Sequence, residues 1–123
     1  MSAVTVTPIT LSPTAFTTET TSNDFVAVDA TDGALFTVDG TDKYIIVAKN
    51  ACETAVAKTV TVVAGDGIHG ALGNVTKSLA QNAISYLPII EVNQFLNHSG
   101  TNKGKISVTG TDANIQIKVI KLP

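Results

Sequence analysis

Apolar and polar residues alternate with a period of two along several short runs of this chain, the spacing that puts successive side chains on opposite faces of a β-strand. In KTVTVVAG, residues 58–65, Val60 and Val62 share one face and Thr59 and Thr61 the other. KISVTGTDANIQIKVIKLP, 105–123, sets Ile106 and Val108 on one face, turns at Gly110-Thr111-Asp112, and then sets Ile115, Ile117 and Val119 against Gln116 and Lys118. That pattern predicts a hairpin. In KYIIVAK, 43–49, Tyr44, Ile46 and Ala48 alternate with Ile45 and Val47, so both faces are apolar and a central strand covered on both sides is expected. ALFTVDGTDKYIIV, 34–47, predicts a second hairpin around Asp39-Gly40-Thr41-Asp42, and DFVAVD, 24–29, a short strand entering Thr31-Asp32-Gly33. The expected core is Ile45, Val47, Val60, Val62, Ile106, Val108, Ile115, Ile117 and Val119.

A strand is also expected at about 3–11. The stretch that follows, SPTAFTTETTSND, is polar, Thr-rich and unpatterned, so residues 1–23 divide into an N-terminal strand and an exposed arm ahead of a domain at 24–123. The one serious helix candidate is GNVTKSLAQNAISYLPII, 73–90. Leu72, Val75, Leu79 and Leu87 fit a helical stripe, but Val75, Lys77 and Leu79 also alternate, Gln81-Asn82 offers a turn, and Pro88 is unsuited to a helix interior. Two strands are the favoured reading, with a single helical turn at EVNQFL, 91–96. The sum is an all-β, antiparallel two-sheet sandwich, jelly-roll or immunoglobulin-like, of about seven to nine strands.

Composition supports this and narrows the function. β-Branched Thr, Val and Ile dominate, and their stiff χ1 suits a pleated sheet. Ten acidic residues against eight lysines, with no arginine, leave a net charge of −2 and no cationic cluster of the kind that phosphate backbones require, so no nucleic-acid partner is expected. No run approaches the roughly 20 apolar residues of a membrane span, and the N-terminus has neither the cations nor the apolar core of a signal peptide; synthesis in the cytoplasm is expected. With Cys52 as the single cysteine, an intrachain disulfide is impossible, and a small, partly buried apolar role is expected for it.

Candidate chemistry is sparse. Gly65, Gly67 and Gly70 spell G-x-G-x-x-G after a strand, with Glu91 some twenty residues on, but a dinucleotide cradle needs a following helix and a second parallel strand. A tight Gly-rich connection is the better reading, and no cofactor is expected. His69 and His98, with Asp66, would have to converge to hold a metal; loop histidines are the simpler reading. DATDG, 29–33, and DGTDK, 39–43, offer carboxylates without the twelve-residue calcium loop and read as turns. Cys52 with either histidine lacks any local nucleophile signature, so the chain is not expected to be an enzyme.

Taken in order, KTVTVVAGDGIHGALGN, a Thr/Ser strand, a second strand closing in Pro88, Glu91-x-x-x-Phe95 and GKISVTGTDANIQIKVIKLP resemble small all-β capsid decoration, or cement, proteins of tailed bacteriophages. The likeness covers about residues 40–123. It implies a structural virion protein without a reaction, added to the outside of an assembled shell by binding the major capsid protein, often as a trimer. Under that reading Val4, Val6, Ile9, Leu11 and Phe16 of the N-terminal region form the candidate interface, since an open edge or arm pairs readily with a neighbour. The alternative is an immunoglobulin-like binding module of a bacterial surface or phage fibre protein, recognising glycan or protein.

Overall fold

A computed structural model describes residues 3–16, 25–38, 43–89 and 92–122, with the side chains of Ile68 and His69 outside the description. The Asp39–Asp42 turn, Glu91 and residues 17–23 of the arm fall outside the described residues.

Alternation becomes strand wherever it is sustained. In chain order the strands are β1 (Val4–Thr5), β2 (Ile9–Thr10), β3 (Val26–Ala27), β4 (Ala34–Thr37), β5 (Tyr44–Asn50), β6 (Lys58–Val62), β7 (Val75–Leu79), β8 (Ile84–Ile89), β9 (Lys105–Gly110) and β10 (Ile115–Lys121). The helical pieces among the described residues are two short 3₁₀ turns, Ile68–Leu72 and Val92–Gln94. The segment that could have been helical is therefore two strands, β7 and β8, joined by a turn in which Asn82 adopts a left-handed φ of 62°.

The protein is all-β and sandwich-like. One sheet runs β1-β4-β9-β6-β7 and the other β2-β10-β5-β8, with β3 also on β10. Their inner faces share one core, in which Phe36, Val60, Val62, Ile106 and Val108 meet Tyr44, Ile46, Ile115, Ile117 and Val119. Each large apolar side chain sealed there contributes roughly 1.5–3 kcal/mol. Eight of the nine expected core residues are buried, and Ile45 is the exception. It sits on the outer face of β5, in register with Ile120 and Pro88, and is half-buried. Val47 on the same face is sealed in register between Tyr86 and Lys118, so the double covering of β5 holds at its middle and fails toward its start.

Three expectations need correction. The count among the described residues is ten strands rather than seven to nine, because the single strand expected at about 3–11 is two short ones, β1 and β2, while β3 falls within the strand expected at 24–29. The sheets are mixed: β1 runs parallel to β4 and β2 parallel to β10. Neither predicted hairpin forms. β4 and β5 lie in different sheets, as do β9 and β10, and among the described strands β6 with β7 is the one chain-consecutive pair that hydrogen-bonds. Gly and Asp turns serve equally to fold a strand back beside its neighbour or to carry the chain across to the facing sheet. At the β9–β10 corner the crossing is fixed by close local packing and by two long-range contacts. A Cβ on Gly110 would come within 2.7 Å of Ile115 Cβ, Thr111 N–H donates to the Thr59 carbonyl (3.0 Å), and Lys58 Nζ pairs with Asp112 Oδ2 at 2.7 Å.

Candidate functional site

The two flanks of the sandwich are built differently. On one, the N-terminal segment crosses from sheet to sheet: Val4 N–H donates to the Gly33 carbonyl, Val6 N–H to Leu35 (2.8 Å) and Leu11 N–H to Lys121 (3.0 Å). Between β1 and β2 the side chain of Val6, 2% exposed, plugs the gap and joins the core. This flank is closed.

On the other flank β7 and β8 are the last strands of their sheets, and they diverge from their common turn. Between them lies a groove of about 440 Å³, walled by Ile46, Ala48, Val60 and Val62 and rimmed by Val75, Lys77, Ser85, Tyr86 and Leu87. Its size falls within the roughly 300–1,000 Å³ of ordinary binding clefts. Register explains why it stays open. Val75, Lys77 and Leu79 occupy the core-facing positions of β7, opposite Val62, Val60 and Lys58. Leu79 is buried at the turn end, whereas Lys77 takes a place where an apolar residue would have closed the seam and remains exposed. At the rim, Ile84 and Tyr86 stand 46% and 69% exposed. A lysine pointing inward from an edge strand discourages indiscriminate strand pairing while leaving the apolar walls accessible.

Both ends of the groove are pinned. At the turn end, Asn50 is fully buried and fully bonded: Nδ2 donates to the carbonyls of Val56 (2.9 Å) and Leu79 (3.0 Å), and Oδ1 accepts from Cys52 N–H (3.0 Å). Its backbone adds bonds to Ala83 and Asn82, so one residue ties β5 to the β7–β8 turn. Low dielectric makes each of those bonds costly to lose.

At the other end sits the glycine segment. None of Gly65, Gly67 and Gly70 has a positive φ; their role is close approach. A Cβ on Gly65 would fall on the carbonyl of Leu96, one on Gly70 on the carbonyl of Gly65, and one on Gly67 within 2.7 Å of the His98 ring. The segment is folded against 92–99, with Gly65 N–H donating to the Gln94 carbonyl (2.9 Å). The five-residue 3₁₀ turn that follows has no α-helical N-terminus with which to hold a phosphate.

Other candidate residues are absorbed structurally. Asp66 accepts from His98 N–H (2.6 Å) and from Ser99 Oγ (2.7 Å), and these bonds, the backbone one first, hold its carboxyl below the usual range. The Asp29 carboxylate caps its own turn through Thr31 and Asp32 N–H. Cys52, buried as a small side chain, shares a 3.3 Å hydrogen bond with Thr54 Oγ1, which lowers its pKa. Among the described residues, no three His, Cys, Asp or Glu converge as a metal site.

The candidate interface residues are dispersed. Val4 packs against the core, Ile9 and Leu11 are half-buried on β10, and Val6 is sealed inside. Phe16 alone among the five stands fully in solvent, at 103% of its reference exposure. Sequence reading missed the groove, Asn50 and the Lys58–Asp112 pair. The signal for the groove was there, as a charged residue at an apolar phase of β7. No protein-family model, curated protein or solved structure matches the chain.

Proposed function

We propose that this protein is a structural component of a bacteriophage virion that decorates and stabilises the outside of the capsid by binding the major capsid protein. It would do so as a homo-oligomer, a trimer by preference, made in the host cytoplasm and carried on the capsid surface. Within the sandwich-like class we place it with the jelly-roll or immunoglobulin-like folds. The observation that supports this reading best is the open flank: two edge strands, each paired on one side among the described residues, hold an apolar groove whose ends are fixed by Asn50 and by the glycine interlock. Such a flank is suited to contact between protomers, which builds the oligomer and leaves the remaining surface for the capsid. A decoration protein needs rigidity and a complementary surface, and its individual contacts can be weak because an oligomer engages several sites at once. The likeness of residues 40–123 to phage cement proteins supplies the choice of partner.

Co-sedimentation with purified tailed-phage heads tests the proposal. Saturation at a fixed copy ratio to the major capsid protein is the expected result. Failure to sediment with heads, together with saturable binding to a glycan array, would replace it with the bacterial surface or fibre module.

A further inference from the structure

The molecule carries an unfilled socket on one flank and an uncovered knob on the other. The socket is the β7–β8 groove, with its apolar walls and its single cation, Lys77. The knob is Ser12–Phe16, which leaves the β10 edge after Leu11 and carries Phe16, an aromatic side chain fully exposed to solvent. A lone exposed apolar residue is ordinary, but a phenylalanine held wholly in water within an uncharged segment, in a molecule that also carries an open apolar cleft, makes an unbalanced pair of surfaces.

From this pairing we infer that the groove is the seat for Phe16 of a second copy of the chain, so that protomers associate head to tail through knob and socket. Ser12–Phe16 is a bent segment, with Thr14 N–H donating to Ser12 Oγ (3.2 Å), that presents Phe16 to solvent. Chemistry is complementary as well. Residues 11–18, LSPTAFTT, contain no charge to desolvate against the apolar walls, and the first charged residue after Phe16 in the sequence is Glu19, opposite in sign to Lys77 at the groove rim. Among the described residues Lys77 has no ion-pair partner within its own chain. The contact is heterologous, with one surface giving and a different one receiving, and such a contact generates a closed ring when its rotation closes. The inference stands on the isolated protein and does not depend on capsid binding.

Sedimentation velocity on the purified full chain tests it with two variants. Phe16→Ala removes the knob and keeps the socket; Ser85→Trp fills the socket from the core-facing side of β8 and keeps the knob. Wild type is expected to associate at tens of micromolar, and each variant about tenfold more weakly or worse. An equimolar mixture of the two has one intact contact, Phe16 of the Trp variant in the groove of the Ala variant, and is expected to give a 1:1 dimer that grows no further. Should Ser85→Trp fold poorly, the surface change Lys77→Glu takes its place: it is expected to weaken association, and Glu19→Lys in the same chain to restore it. A monomeric wild type, a Phe16→Ala variant that associates as wild type does, or a mixture that stays monomeric would each overturn the inference.

Discussion

The closed and open flanks start from the same problem and solve it differently. Each is a seam where two twisted sheets end and their core is exposed to water. On the closed side, a segment with one apolar side chain in each of its two short strands, Val4 and Ile9, crosses the seam, and Val6 between them seals it. On the open side the strands that should meet, β7 and β8, carry Lys77 where a seal would sit, and the walls behind it remain accessible. A seam closed by the chain itself contributes to stability, and a seam left open is available for contact with another chain. The contrast predicts that substitutions on the closed side act on folding and those in the groove act on association.

The largest effect is expected at the seal. Val6→Asp places an unpaired charge in the core, and urea unfolding should show a loss of about 4 kcal/mol or outright unfolding. A loss under about 1 kcal/mol would mean that the N-terminal segment is not part of the core and that the flanks do not differ as described. Ser85→Trp, on the open side, should change stability by less than about 1 kcal/mol because it fills empty space.

Next comes the clamp. Asn50→Ala leaves the carbonyls of Val56 and Leu79 and the N–H of Cys52 without partners, with an expected cost of about 3 kcal/mol. Amide exchange should show the loss concentrated in 50–56 and 79–83. Uniform loosening would mean that Asn50 does not act locally on the groove. At the opposite end, Gly65→Ala drives a methyl group into the Leu96 carbonyl and should cost on the order of 2 kcal/mol by chemical denaturation. An unchanged midpoint would show that the two loops are not interlocked.

A smaller effect depends on pH. Hydrogen bonding depresses the Asp66 pKa in the fold relative to the unfolded chain, so its contribution is complete above the ordinary aspartate value of about 3.9 and disappears as pH falls through the lower folded value. The amide signals of His98 and Ser99 should therefore shift in acid below that value, and Asp66→Asn should abolish the transition. A transition centred above the ordinary value would reverse the assigned sign.

The core strands were legible in the sequence because β5, β6, β9 and β10 each repeat the alternation long enough to fix which side faces inward. Sheet membership was not. Gly110-Thr111-Asp112 looks like the tip of a hairpin, and what makes it a crossing is its bonding to Thr59 and Lys58, some fifty residues away. Parallel pairing of β1 and β2 also depends on distant partners, yet a trace of it is visible: the apolar positions shift from Val4 and Val6 to Ile9 and Leu11, even to odd, across Pro8. A change of phase is what a segment shows when it passes from one sheet to the other. For the site, Lys77 at an apolar phase was the available clue, while Asn50 gave none, since a buried amide is distinguished from an exposed one only by its partners.

On the proposed head-to-tail association, the open flank becomes an occupied surface. Amide hydrogen exchange, followed as a function of protein concentration, addresses that directly. Protection across Val75–Leu79 and Ile84–Ile89 is expected to rise with concentration, while protection of Val4, Val6 and Leu11 is already present in dilute solution and stays constant. Exchange in β7 and β8 that remains fast at every concentration, or protection that rises equally on both flanks, would contradict the account.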